Sequence, residues 1–213
     1  MLFRSIQIGQ VAAPRSSPDY FPLFVMNRVL GGASSARINM NLREDKGYTY
    51  GASSVFSFRR GAGPFMAQAP VQGFSTKESV SEFMKEIRGV RGEMPVTALE
   101  LETAKQAIVR GFPRGFETPD QIANGLELIV TYDLPDTYFN SYIERVQNVT
   151  LEDINRVANR YLQPDRMAVV IVGDRKSIEQ GLRTLDQLGE NINVVDNEGR
   201  PAAQGGATGG GTQ

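Results

Sequence analysis

The chain has 213 residues, 40% hydrophobic and 22% charged, and its 23 basic and 24 acidic side chains leave a net charge of −1. That is the composition of one ordinary folded domain with a short tail, with no basic stripe for nucleic acid. Cysteine and histidine are both absent, which excludes disulfides, thiolate nucleophiles, Ser-His-Asp triads and an imidazole- or thiolate-held catalytic zinc within this chain.

Residues 3–10 alternate like a half-buried strand, with Ile6 and Ile8 on one face. After a Pro- and Ser-containing loop, the dense apolar pattern of Tyr20 to Leu30 predicts a buried helix stopped by Gly31-Gly32. Ser34 or Ser35 is placed to cap a second helix, with Ile38 and Leu42 on its inner side and Lys46-Gly47 closing it. From Tyr48 to Phe58 the period changes to two, so Tyr48, Tyr50, Ala52, Ser54, Phe56 and Phe58 are expected on one face of a strand. Residues 59–63 turn, and Pro64 to Val71 returns as the second strand of an antiparallel hairpin.

Four helices follow with capping-box starts: Ser75 with Glu78, Thr97 with Glu100, Thr118 with Gln121, and Thr150 with Asp153. Their core stripes read Val80, Phe83, Met84, Ile87; then Leu101, Ala104, Ile108; then Ile122, Leu126, Ile129, Val130; then Leu151, Ile154, Val157, Ala158, Tyr161. A shorter helix is expected over 136–146. The apolar run from Met167 to Val172 is far too short to span a membrane; with Arg166 it predicts a buried central strand. Ser177 to Leu188 predicts a weaker helix and Ile192 to Val195 an edge strand. The Gly-rich end has no large apolar residue and is expected to be disordered. The order implies an α+β fold, a mostly antiparallel sheet with helices packed on one face. The domain is expected over 1–196, with 197–213 as the tail.

The most informative stretch runs from Leu30 to Ala52. It places Arg43 in the last turn of a helix and Tyr50 near the start of the next strand, with the reversal at Gly47 between them. Tyr48 and Tyr50 lie about 7 Å apart on one side of that strand, and geometry alone does not choose between them. Read singly, Arg43 is a solvated helix residue pairing with Glu44 or Glu82, and Tyr50 a half-buried strand aromatic. Glu100 and Glu102 are surface charges near Lys105, and Gly31-Gly32 a helix stop. There is no GxGxxG or P-loop pattern.

Taken together, Leu30-Gly31-Gly32, Ser34-Ser35-Ala36-Arg37 and Leu42-Arg43-Glu44 with Gly47 and Tyr50 resemble the second lobe of pitrilysin-type zinc metallopeptidases, the family that includes the mitochondrial processing peptidases. The similarity continues in order through Thr97 to Leu101, Phe116 to Thr118, Val149 to Asp153 and Val169 to Asp174. The resemblance implies a zinc-free, non-catalytic lobe that encloses a peptide substrate against a partner lobe bearing the inverted zinc motif H-x-x-E-H. It implies no cofactor in this chain and zinc in the partner, with Arg43 and Tyr50 as substrate-binding donors reaching across the chamber. It also implies that the chain starts at what is usually the lobe's second strand, so that one sheet edge is incomplete or filled by another chain. Bacterial relatives are often exported, which implies an extracytoplasmic setting. The alternative is a structural subunit of the same fold with no peptidase role, as in core proteins of respiratory complexes.

Overall fold

The structure, a computed structural model, describes residues 3–186, 188, 191–196 and 198–201; most of the Gly-rich tail expected to be disordered lies outside the described residues. Strand β1 (Phe3–Val11) is followed by helix α1 (Tyr20–Leu30) and helix α2 (Arg37–Asn39), which continues without a break into a π-helical turn, Met40–Asp45. The hairpin β2 (Ser53–Phe56) and β3 (Pro64–Gln72) leads into α3 (Thr76–Gly89), α4 (Ala98–Gly111) and α5 (Pro119–Tyr132). Then come α6 (Tyr142–Gln147), α7 (Leu151–Tyr161), β4 (Ala168–Val172) and α8 (Arg175–Leu182).

The four strands form one antiparallel sheet in the order β2-β3-β1-β4. The alternation of β1 does what a period of two dictates: Ile6 and Ile8 are fully buried, and Ser5 and Gln7 face outward. Phe65, Ala67, Ala69 and Val71 from β3 join the same buried side, where Leu23, Met26 and Leu30 of α1 and Val80, Phe83 and Ile87 of α3 close the core. The helices therefore occupy one face of an α+β layer, and the other face of the sheet is open.

Three capping boxes form as spaced, at Thr97–Glu100, Thr118–Gln121 and Thr150–Asp153. The one at Ser75 does not. Ser75 sits at φ −107°, ψ 15°, outside the extended backbone that a capping residue needs. Its hydroxyl donates backward to the Gln72 carbonyl, and Thr76 likewise donates to Gly73, closing a 3-10 turn over Gly73–Ser75 ahead of α3. Neither Ser34 nor Ser35 caps α2; its N-cap is Ala36, with no side-chain bond. Gly31 stops α1 and also lies against β2: an added Cβ would come within 2.4 Å of Ser54 Oγ, while Ser54 N–H donates to the Gly31 carbonyl.

Three strand expectations are corrected. The 166–172 run forms β4 at a sheet edge, paired with β1 alone among the described residues, with Val170 and Val172 55% and 67% exposed. A run of β-branched residues reads alike in a central strand and in an edge strand, and only the strand order separates them. The strand expected from Tyr48 to Phe58 is regular only over Ser53–Phe56, because Thr49 is buried and Tyr50 exposed, out of phase with buried Ala52, Ser54 and Phe56. The Thr49 hydroxyl accepts from Gly51 N–H and lies against the Pro70 carbonyl, kinking the chain at that point. Ile192 to Val195 forms no strand beyond a single bridge from Val195 to Pro201.

Two buried charges tie the loop before α1 to the helical block. Arg15 is 5% exposed, lies 3.6 Å from the Tyr20 ring centroid and donates to the Tyr138 hydroxyl. Asp19 accepts from Arg156 at 2.6 Å, Arg160 at 3.2 Å and the Tyr161 hydroxyl at 2.8 Å.

A third tie crosses 63 residues of sequence: Arg37 forks onto Glu100 at 2.7 and 2.6 Å and donates to the Met94 and Pro95 carbonyls. Glu100 is thus not the surface charge its helical spacing to Lys105 suggests; Lys105 donates instead to the Gln147 carbonyl. The Arg37 hydrogen bonds, helped by those from Thr97, pull the Glu100 carboxyl down from 4.5 to about 2. A carboxylate depressed on folding contributes stability that is present above its unfolded value and lost as pH falls through the folded one. Thermal melts between pH 5 and 2 are expected to show a smaller acid loss in Glu100→Gln than in the wild type, and a Glu100→Gln melting curve with an unchanged acid slope would refute the link.

Candidate peptide-binding face

The open side of the sheet is built from the outward residues of four strands. In register across it run three rows: Ser53, Gln68, Gln7 and Val170; Val55, Met66, Gly9 and Ala168; and Pro70, Ser5 and Val172. No side chain in these rows is charged. Val55, Val170 and Val172 are exposed there, at 42%, 55% and 67%. An antiparallel sheet with one solvated face normally carries charged and polar groups on it. This one presents uncharged, partly apolar surface next to amide side chains that can donate and accept hydrogen bonds.

The segment carrying Arg43 and Tyr50 borders this face. Thr49 bridges Val71, which continues the β2 side of the sheet and brings Tyr50 level with the exposed Pro70. The lead-in is held by side chains. Asn39 donates to the Ser34 carbonyl and accepts from Ala52 N–H, and Asn41 donates to Glu82 and Glu86 on α3. The helix widens to the π form as it ends, with Lys46 N–H reaching back to the Asn41 carbonyl. Gly47, at φ +65°, then reverses the chain, as only a residue tolerant of the left-handed region does readily. π-turns recur at functional positions, so this local geometry is itself informative.

Arg43 lies in the π turn with about half its side chain exposed, 3.2 Å from Glu44. Tyr50 is 73% exposed, whereas Tyr48 is half-buried and its carbonyl accepts from Gln72 N–H. The two tyrosines that spacing alone left equivalent therefore differ in exposure. Arg43 and Tyr50 flank the Gly47 reversal and both project to solvent; neither lines the cavities described below. Sequence reasoning missed the open face itself, although its signal was present in the uncharged outward positions of β1 and β3.

With no histidine or cysteine in the chain, its residues do not fit a catalytic zinc site. Among the described residues no helix is long and apolar enough to cross a membrane.

Residues 3–108 match the family model of the peptidase M16 inactive domain. The chain belongs to that family, the group of zinc-protease-like proteins to which the resemblance pointed. It is 26% identical over 172 residues to the uncharacterized zinc protease YmxG of Bacillus subtilis, covering 79% of this chain and 39% of that one. Its fold matches a crystal structure of a peptidase M16 inactive domain from Pseudomonas fluorescens with a TM-score of 0.73 and 25% identity, over 79% of this chain and 40% of that one. The inactive peptidase domain of a zinc protease homologue from Bordetella parapertussis superposes with a TM-score of 0.70 at 18% identity, over 81% of this chain and 93% of that one. The chain thus spans about two-fifths of the length of the Bacillus and Pseudomonas relatives, and nearly all of the isolated Bordetella domain.

Proposed function

We propose that this chain is the substrate-holding half of a two-lobed zinc peptidase: its open sheet face forms one wall around an extended peptide, and a companion lobe bearing H-x-x-E-H forms the other. The observation that carries this reading is the uncharged outer face, bordered by the exposed Tyr50. An extended peptide offers backbone amides and alternating side chains, and amide- and valine-bearing surface suits both without selecting by charge.

The companion's metal supplies the activated water when bound. This chain contributes donors. Peptide hydrolysis places negative charge on the former carbonyl oxygen. A phenol such as Tyr50 and a planar guanidinium such as Arg43 are suited to meet that charge or to hold neighbouring peptide carbonyls. A cavity of about 560 Å³ lies between β4, α8 and residues 188 and 191–195, and the outer edge of β4, unpaired among the described residues, is open to a strand from another chain.

The test is reconstitution. The chain by itself is expected to hydrolyse no peptide, and activity is expected on mixing with an H-x-x-E-H lobe of the family. An assembly that forms and cleaves nothing would favour the structural-subunit role instead.

A further inference from the structure

Helix α5 has no buried residue over its 14 positions, although its sequence carries the apolar stripe of a core helix. Its inner side, with Gln121, Gly125 and Leu128, closes an aromatic cavity of about 350 Å³ against Phe112, Phe139 and Tyr142. The outer part of its apolar arc is left exposed among the described residues. Ile122, Leu126 and Val130, four residues apart and so on one ridge, are 45%, 59% and 76% exposed. The ridge is held in place at its C-terminal end, where Arg60 donates to the Thr131 carbonyl at 2.6 Å.

Along the α5 segment itself the charge is one-sided. From residue 117 to 136 the acids are Glu117, Asp120, Glu127, Asp133 and Asp136, and there is no Lys or Arg. A two-fold pairing of α5 with its own copy would bring two such acid-only segments together, which disfavours self-association. An apolar strip in an acidic surround is complementary to apolar surface rimmed by cations. Relatives of this fold from Bacillus and Pseudomonas carry some three-fifths of their length beyond the matched part, so chain able to supply such a surface accompanies the domain there.

We infer that the Ile122–Leu126–Val130 ridge is the surface on which the companion lobe docks, through an apolar patch with a Lys/Arg rim. The inference rests on the pairing proposed above and names its contact. It separates the surface that holds the two halves together from the face that holds the peptide.

Two measurements test it, on the wild-type chain and on an Ile122→Ser/Leu126→Ser/Val130→Ser variant, which should keep its circular dichroism because the altered side chains are exposed. In the first, an amphipathic helical peptide of Leu and Lys is expected to bind at least tenfold more tightly than a Leu and Glu peptide of the same pattern. That binding is expected to weaken with added salt and to fall at least tenfold in the variant. Equal binding of the two peptides, or binding unchanged in the variant, overturns the inferred chemistry. In the second, assembly with an H-x-x-E-H lobe is expected to weaken at least tenfold in the variant. Assembly at wild-type affinity removes α5 from the contact but leaves the pairing standing. No assembly even by the wild type removes the pairing, and with it the lobe as occupant, and the peptide comparison then decides whether the ridge binds a cationic partner.

Discussion

Replacing Tyr50 with phenylalanine is expected to lower peptide hydrolysis by the reconstituted two-lobe assembly about a hundredfold, in the range that follows loss of one oxyanion donor. The ring stays and the hydroxyl goes, so the fall belongs in kcat, with KM nearly constant and the zinc content of the assembly unchanged. The reason lies in the exposure of Tyr50. A tyrosine that is 73% exposed at the border of an uncharged sheet face contributes little to the core of its own domain. Arg43→Ala is expected to act on the same assembly, with a larger share in KM if the guanidinium holds ground-state carbonyls. Its pairing with Glu44 is between two half-exposed side chains and is worth at most about 1 kcal/mol, too little to keep it from a substrate. Wild-type rates in both variants would remove these two residues from the mechanism while leaving the lobe assignment untouched.

The largest effect on stability is expected at Asp19. Its carboxylate is 5% exposed and receives hydrogen bonds from Arg156, Arg160 and Tyr161. Asp19→Ala leaves those donors facing a buried void. Because Arg156 and Arg160 keep 45% and 64% of their side-chain exposure, they can turn to water. The cost therefore falls near about 2–3 kcal/mol, below that of breaking a fully buried pair. For a domain of this size that is a drop in Tm of roughly 5–10 °C. A melting temperature within about a degree of wild type would show the cluster to be incidental.

What could be read from the residues, and what could not, divides along the range of the forces involved. The helix starts at Thr97, Thr118 and Thr150 were legible because a capping box is closed by atoms three residues apart. Ser75 failed for a local reason that spacing does not encode: its backbone sits outside the capping conformation. The phase of β1, with Ile6 and Ile8 inward, follows from the pleat. The phase slip between Thr49 and Ala52 needed the Thr49 hydroxyl and the Asn39 side chain, which acts on Ala52 from 13 residues away. The Glu100–Arg37 fork was invisible because no helical periodicity reaches across 63 positions.

The candidate site shows the same division. Gly47 marked the reversal between Arg43 and Tyr50, and it sits at φ +65°, a left-handed position that a residue without a Cβ adopts readily. That Tyr50 is exposed and Tyr48 half-buried depended on how the segment joins β3. The α5 stripe is the reverse case: Ile122, Leu126 and Val130 have core periodicity, yet among the described residues they stay exposed.

By itself the amino-acid sequence determined the family, the α+β class, the absence of any histidine- or cysteine-held metal chemistry and most element starts, since each rests on residue identity or on neighbours within one turn. Only the tertiary structure decided that β4 lies at an edge, that the sheet keeps an uncharged open face and that α5 exposes an apolar ridge. Those depend on which surfaces meet across long stretches of chain, and a hydrophobic pattern states that a face must be covered without stating by what.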